Sequence, residues 1–296
     1  MSAVRGLTQN ATRYTSRMSP AILLQYLLPQ RTLSRIMRAA TRWRWRPWKN
    51  FMIAQVVRRY RVDMSEAAQH DPFAYPHFNA FFTRALKPGA RSAPGNDATL
   101  SAPADGRISQ AGRIDEGRML QAKGRTYSVA ELLADEQAAQ IYRDGHFVTL
   151  YLSPRDYHRV HMPLAGELIE TVHVPGRLFS VAPAPVESVP RLFARNERLI
   201  CHFEGAHGPF VVALVGAMLV SGISTVWSGT EVPPYAAHIV RSDWRGRGVK
   251  LARFAEMGRF EMGSTVILLL PQACALRAGL LPEMPVRVGQ RLGHFL

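Results

Sequence analysis

From about residue 100 to its end, this chain is built of short β-prone runs separated by glycine and proline turns. The runs span residues 107–114, 147–152, 168–174, 199–203, 211–226 and 265–270. Runs rich in branched and aromatic side chains and closed by turn formers read as strands. Residues 128–142 read instead as a helix. Strands that follow one another through short turns favour antiparallel pairing, so the pattern predicts an α+β fold with a largely antiparallel β core. No internal repeat and no glycine-rich phosphate loop interrupts it.

The N-terminal region has a different texture. Residues 1–62 hold thirteen of the 37 arginines and lysines and none of the 22 acidic residues. The formal charge of +15 therefore splits into +13 there and +2 over residues 63–296. Residues 1–18 are polar, arginine-containing and aperiodic, which marks a mobile tail. Their lack of acids also resembles a mitochondrial targeting peptide, the second-ranked reading because no long presequence stands ahead of the rest.

Ser19-Pro20 starts a helix, with serine as N-cap and proline at the first helical position, and the segment 21–28 stops at Pro29. Residues 32–43 and 48–60 read as two more helices. In the first of these, Leu33, Ile36, Met37, Ala40 and Trp43 share a face, with Arg31, Arg35, Arg38 and Arg42 opposite. Trp43, Trp45 and Trp48, interleaved with Arg44, Arg46 and Lys49, form an aromatic-basic belt suited to lipid headgroups. Such helices can pack on their own domain, bind nucleic acid, or anchor the chain at a membrane surface. The membrane is favoured, because Leu, Ile, Met and Trp share the apolar faces and the body offers no matching basic groove. The division expected is a basic amphipathic membrane-association region over 1–62 and a catalytic domain over 63–296.

With 47% hydrophobic residues the chain can fill a core. No segment reaches the ~18 consecutive apolar residues of a membrane span. The longest apolar run, 210–223, contains Gly216, Ser221 and Gly222 and reads as buried strands. Cys201 and Cys274 make no disulfide framework in a chain of this size; both read as core thiols in a reducing compartment.

Three segments carry chemistry. Gly263-Ser264-Thr265 opens the apolar run 265–270, and a serine hydroxyl can attack the carbonyl before it most easily when that residue is glycine. Asp105 stands in the turn Ser101-Ala-Pro-Ala-Asp-Gly106. His158 and His161 follow the strand-like segment 147–152. Each is a candidate at a strand edge, where a scaffold can aim side chains into one site. Taken singly, each also has an ordinary reading: a serine at a turn, an Asx-turn aspartate, and histidines bonded to backbone carbonyls. The His158-x-x-His161 spacing lacks the third and fourth ligands of a zinc site, so no metal is expected. A Ser-His-Asp lipid hydrolase is a rival, but Met262-Gly-Ser-Thr-Val266 lacks the second glycine of a nucleophile elbow.

At these segments the chain resembles the phosphatidylserine decarboxylases, self-processing enzymes that depend on a pyruvoyl group. The resemblance extends through Phe78-Asn-Ala-Phe-Phe-Thr-Arg84, Ala104-Asp-Gly106, Gln121-Ala-Lys-Gly124 with Tyr127-Ser128, and Asp156 to Pro163. It continues through Val174 to Ser180, Leu192 to Arg198 and Glu256 to Phe260, covering roughly residues 60–271. Met262 stands where many bacterial members carry leucine. The resemblance implies self-cleavage between Gly263 and Ser264 into a β chain (1–263) and an α chain (264–296), with Ser264 becoming the covalent pyruvoyl group. It assigns the base to His161, oriented by Asp105. His158 is implied to protonate the carbanion left by carbon dioxide or to assist Schiff-base exchange, with Tyr151 a weaker candidate. The implied substrate is phosphatidylserine in an anionic membrane and the product phosphatidylethanolamine. The implied assembly is an α/β heterodimer, with a higher oligomer left open, peripheral on the cytoplasmic face of the cell membrane and binding no nucleic acid. Arg195 and Arg198 are candidates for the headgroup phosphate, or ion-pair partners of Glu197 or Glu204.

Overall fold

The computed structural model describes residues 20–219, 222–262 and 264–295. The tail expected over residues 1–18 and the glycine of the cleavage step, Gly263, lie outside the described residues.

Three helices come first: α1 (Pro20–Leu27), α2 (Gln30–Arg42) and α3 (Arg46–Tyr60). Pro29 lacks the amide a continuous helix would need and separates the first two. These bounds agree with the expected helices to within two residues. The orientation of α2 is the part that the sequence left open. Its buried residues are Gln30, Ser34 and Thr41, while Ile36 is 61% and Trp43 55% exposed. Polar contacts fasten the inner edge. The Gln30 side-chain oxygen accepts from the Leu178 amide at 2.8 Å, Arg38 meets Glu261 at 2.7 Å, and Arg42 reaches the same carboxylate. Leu33, Met37 and Ala40 on the same side are half-buried, so the helix turns part of its apolar side outward, unlike an ordinary core-packed helix.

Behind the helices lie antiparallel sheets, as the turn pattern requires. In the nine-stranded sheet, strand Ser264–Leu270 is central, between Gly208–Val215 and His146–Leu152. A four-stranded sheet runs Gly229–Val232, Ile223–Thr225, Glu256–Phe260, Arg159–His161. Side chains alternate across the large sheet. Val266, Leu268 and Leu270 enter one core, shared with Val160, Met257 and Phe260 of the small sheet. Ile267 and Leu269 enter a second core, shared with Phe147, Phe179 and Phe193. Burial on both faces is why the run Val266–Leu270 shows no polar alternation. Cys201 and Cys274 are free and buried, as expected.

Two expected elements are divided. The helix expected over 128–142 is two, Val129–Leu133 and Glu136–Gln140. Ser128 and Glu131 form a capping box on the first, Ala134 ends it in the left-handed region, and Asp135 caps the second. Each cap satisfies end groups that one continuous helix would have bonded internally. The long run 211–226 is likewise divided, its ends belonging to Gly208–Val215 in the large sheet and Ile223–Thr225 in the small one.

Candidate active site

The candidate residues meet where the chain passes between the two sheets. Strand His146–Leu152 lies in the large sheet and Arg159–His161 in the small one, and Glu256–Phe260 and Ser264–Leu270 make the same passage in reverse. The two passages stay paired. Ser264 is opposite Leu152 in one sheet and Arg259 opposite Arg159 in the other. Between them the Phe260 amide donates to the His158 carbonyl at 3.0 Å. Strand pairing thus brings Ser264 and the segment carrying His158 to one corner, and sets His161 opposite Glu256, farther along the small sheet.

The neighbours of Gly263 define the corner. Met262 has φ 111°, a region that a side chain with a Cβ rarely enters, at a cost of about 1–3 kcal/mol. Ser264 opens a strand buried over its whole length. By strand alternation its side chain shares the face of Val266, towards the core between the sheets. Its Oγ is buried and has no hydrogen-bond partner.

His158 is fully buried, its ring 4.0 Å from that of Phe82. Its Nδ1 donates to the Asp156 carbonyl at 2.8 Å, which leaves the lone pair on Nε2, an atom without a partner. Burial holds its pKa down at about 3. This predicts a pH effect on stability. The unfolded chain accepts a proton near pH 6.5 that the folded chain refuses until about pH 3. Stability from this residue is therefore complete above pH 6.5 and falls as pH drops, by at most about 1.4 kcal/mol per pH unit. Urea unfolding of uncut Ser264→Ala protein should show a steeper loss between pH 7 and 4 than the same protein carrying His158→Gln. Equal slopes would contradict the depressed pKa.

His161 also carries its lone pair on Nε2. Its Nδ1 donates to the Phe254 carbonyl at 2.7 Å, and Nε2 accepts from the Tyr157 hydroxyl at 3.1 Å. Burial lowers its pKa and raises that of Tyr157 to about 12. Both groups are therefore neutral near pH 7, and His161 is in the state a general base requires.

The expected orientation of His161 by Asp105 is corrected. Asp105 accepts instead from Arg91 Nε at 3.0 Å, from Arg91 Nη2, and from the Val288 amide at 2.8 Å. A guanidinium offers two donors in the geometry of a carboxylate, and one imidazole N–H does not compete. The Phe254 carbonyl takes over the orienting role. Asp105 still stands close by, since the His161 amide donates to the Pro103 carbonyl at 2.7 Å, and its charge raises the proton affinity of His161 at longer range. Gly106 permits this approach: a Cβ there would meet the Tyr151 carbonyl oxygen at 2.3 Å.

Of the two phosphate candidates, Arg198 does not survive. Arg198 is 2% exposed and donates to the carbonyls of Leu132, Ala194, Asn196 and Glu131. Arg195 lies over the rings of Tyr26 and Phe179. Glu197 pairs with His173 at 2.8 Å rather than with either arginine. Tyr157, Arg91 and Glu261 were missed. Tyr157 stands inside the Asp156–Pro163 block and was findable as a titratable neighbour. Arg91 carried no local signal.

Comparison with known proteins supplies the family. A family model described as phosphatidylserine decarboxylase matches residues 78–294, and a second, PSD, matches residues 20–61. The phosphatidylserine decarboxylase proenzyme of Xanthomonas axonopodis pv. citri is 57% identical over 278 residues, covering 94% of this chain and 99% of its own. That of Stenotrophomonas maltophilia is 56% identical over 284 residues, covering 93% and 99%. With a family model over most of its length and relatives more than half identical along nearly all of it, the chain belongs to the phosphatidylserine decarboxylase family.

Proposed function

We propose that this chain is a proenzyme that cuts itself between Gly263 and Ser264 and then converts phosphatidylserine to phosphatidylethanolamine. The observation that carries this reading is the buried, partnerless Ser264 hydroxyl two residues after a strained Met262. A buried hydroxyl without a partner costs about 1–3 kcal/mol, a cost that a chemical role for Ser264 would explain.

In the cleavage step Ser264 Oγ bonds to the Gly263 carbonyl carbon and the bond from that carbon to the Ser264 nitrogen breaks. The hydroxyl proton passes to His161 Nε2, displacing the Tyr157 contact, and on to the freed nitrogen. Asp105 stabilises the transient imidazolium through its charge. Elimination across the Cα–Cβ bond of residue 264 then releases Gly263 as a carboxylate. The β chain (1–263) and α chain (264–296) remain together as a heterodimer, because strand Ser264–Leu270 is paired on both sides.

The site fits a pyruvoyl group, since residue 264 heads a fully buried strand and faces a water-poor core. When present, that group supplies a ketone for the substrate amine and an adjacent carbonyl that draws charge. The chain's own part is proton handling. His158 Nε2 carries a lone pair and no partner, so it can accept a hydrogen bond from the substrate amine and orient it, while burial keeps the ring neutral.

Among the described residues no helix is long and apolar enough to cross a membrane. The exposed Ile36 and Trp43 and the exposed Arg44 and Arg46 support a peripheral position at an anionic bilayer, on the cytoplasmic face of the cell membrane. Residues 1–62 are the association region and residues 63–296 the catalytic domain.

Intact-mass spectrometry tests the reading. The expected result is two chains, the 264–296 fragment beginning with a ketone in place of an amine, and borohydride or hydroxylamine abolishing release of carbon dioxide from phosphatidylserine vesicles. A single uncut chain with full activity, or activity indifferent to both reagents, would overturn it.

A further inference from the structure

The buried carboxylate of Glu261 stands two residues ahead of the scissile glycine, and the proposed chemistry does not use it. Its side chain is 7% exposed. One oxygen, Oε2, meets Arg38 Nη1 at 2.7 Å and Arg42 Nη2, both from α2. The other, Oε1, accepts from the Ser224 hydroxyl at 3.1 Å. Its amide donates to the Gly222 carbonyl at 2.8 Å. Room for this arrangement depends on an absent side chain. A Cβ on Gly222 would meet Glu261 Oε2 at 2.5 Å and Arg38 Nη1 at 2.8 Å.

Met262 is thereby held from both directions. Downstream, Ser264 is opposite Leu152, and Thr265 is opposite Tyr151 on one side and Val215 on the other. Upstream, Phe260 is bonded to His158 and Glu261 to Gly222, Ser224, Arg38 and Arg42. The Met262 side chain packs against two hydrophobic clusters. With both flanks fixed, the unfavourable φ of 111° cannot relax by sliding the strand. A charge-assisted carboxylate–guanidinium contact is the strongest anchor available to a single side chain at such a point.

We infer that Glu261, clamped by Arg38 and Arg42, is the positioning residue of the self-cleavage step, fixing the strained segment so that its carbonyl meets the Ser264 hydroxyl. The inference rests on the proposed cleavage and adds its dependence on the outer helical layer. Intramolecular attack is sensitive to misplacement of about 1 Å. A single clamp also makes cutting conditional on α2 being folded against the sheets, so that a chain lacking its helical layer keeps its serine unconverted.

The test follows chain cutting over time by gel and intact mass in freshly synthesised protein. Glu261→Gln should slow cutting by roughly 10–100-fold, and Glu261→Asp should recover part of that loss. Arg38→Gln with Arg42→Gln should slow it similarly, and the triple variant should be no slower than either parent set, since all three changes remove one clamp. Urea unfolding in the uncut Ser264→Ala background reports whether each variant is folded. Should Glu261→Gln fail to fold, the double arginine variant and Glu261→Asp carry the test. Cutting at the parent rate by the folded variants, or fully additive slowing, overturns the inference. An unmodified chain that never cuts defeats the proposed function instead, so the two failures are distinguishable.

Discussion

Ser264→Ala should leave the 296-residue chain in one piece and release no carbon dioxide from phosphatidylserine. The hydroxyl is the only atom of residue 264 that can both open the backbone and be eliminated, and alanine has neither capacity. The loss should be on the order of 10⁶-fold, the scale on which removal of an enzyme's nucleophile is felt. The fold itself should persist. Ser264 is opposite Leu152 through its backbone, and its Oγ makes no hydrogen bond whose loss would be costly. The uncut variant should thus unfold in urea with a midpoint at or above that of the chain before cutting. Intact mass gives the cleavage result directly. A Ser264→Ala protein that still splits, or still decarboxylates, would place the chemistry at another residue.

Replacing the outward apolar residues of the helical layer should have the second largest effect, this time on location rather than chemistry. Leu27 is 82% exposed, and Ile36 and Trp43 are more than half exposed. Trp43 stands 5.3 Å from Trp45 and 6.1 Å from Trp48, which extends the apolar surface into an aromatic patch. Burying a large apolar side chain is worth roughly 1.5–3 kcal/mol when complete, and these three are only half-way there. The combination Leu27→Glu, Ile36→Glu, Trp43→Glu should therefore weaken binding to phosphatidylserine vesicles by roughly a hundredfold or more. Cutting of the chain should continue, because Arg38 and Arg42, which pair with Glu261, are left in place. Binding by the parent chain should also fall with salt, as charge attraction to anionic lipid is screened. Undiminished vesicle binding by the triple variant would remove the helical layer from the role of anchor.

The two predictions differ in how far the sequence alone supported them. Ser264, His158 and His161 stand out as candidates in the sequence because they sit in dense, specific blocks at the ends of apolar runs. The polarity of α2 was legible too, but its direction was not. A helical wheel shows that Ile36 and Trp43 share a side; it does not say whether that side meets the core. Gln30, Ser34 and Thr41 take the inner edge because the surface they meet offers backbone amides and a carboxylate, which satisfy polar groups better than leucines would.

The same limit governed Asp105. Its place in a Pro-Ala-Asp-Gly turn was plain, and so was its nearness to a histidine through the family resemblance. That the carboxylate would be captured by Arg91 depended on a residue with no motif of its own, delivered by the packing of a loop. Arg198 failed as a phosphate ligand for a related reason. An arginine in the sequence is a charge with five donors, and only the folded chain reveals that four carbonyls already surround it.

The amino-acid order by itself determined the class of fold, the boundaries of the first three helices to within two residues, and the family to which the chain belongs. Those are set by short-range spacing, turn residues and local motifs, which act over a few neighbours along the chain. Tertiary structure alone decided which partner each charged group takes, which face of α2 points outward, and how Glu261 comes to grip the helical layer. Such pairings join residues as far apart as Arg38 and Glu261, and competition among donors and acceptors is resolved only when the sheets bring the rivals to one place.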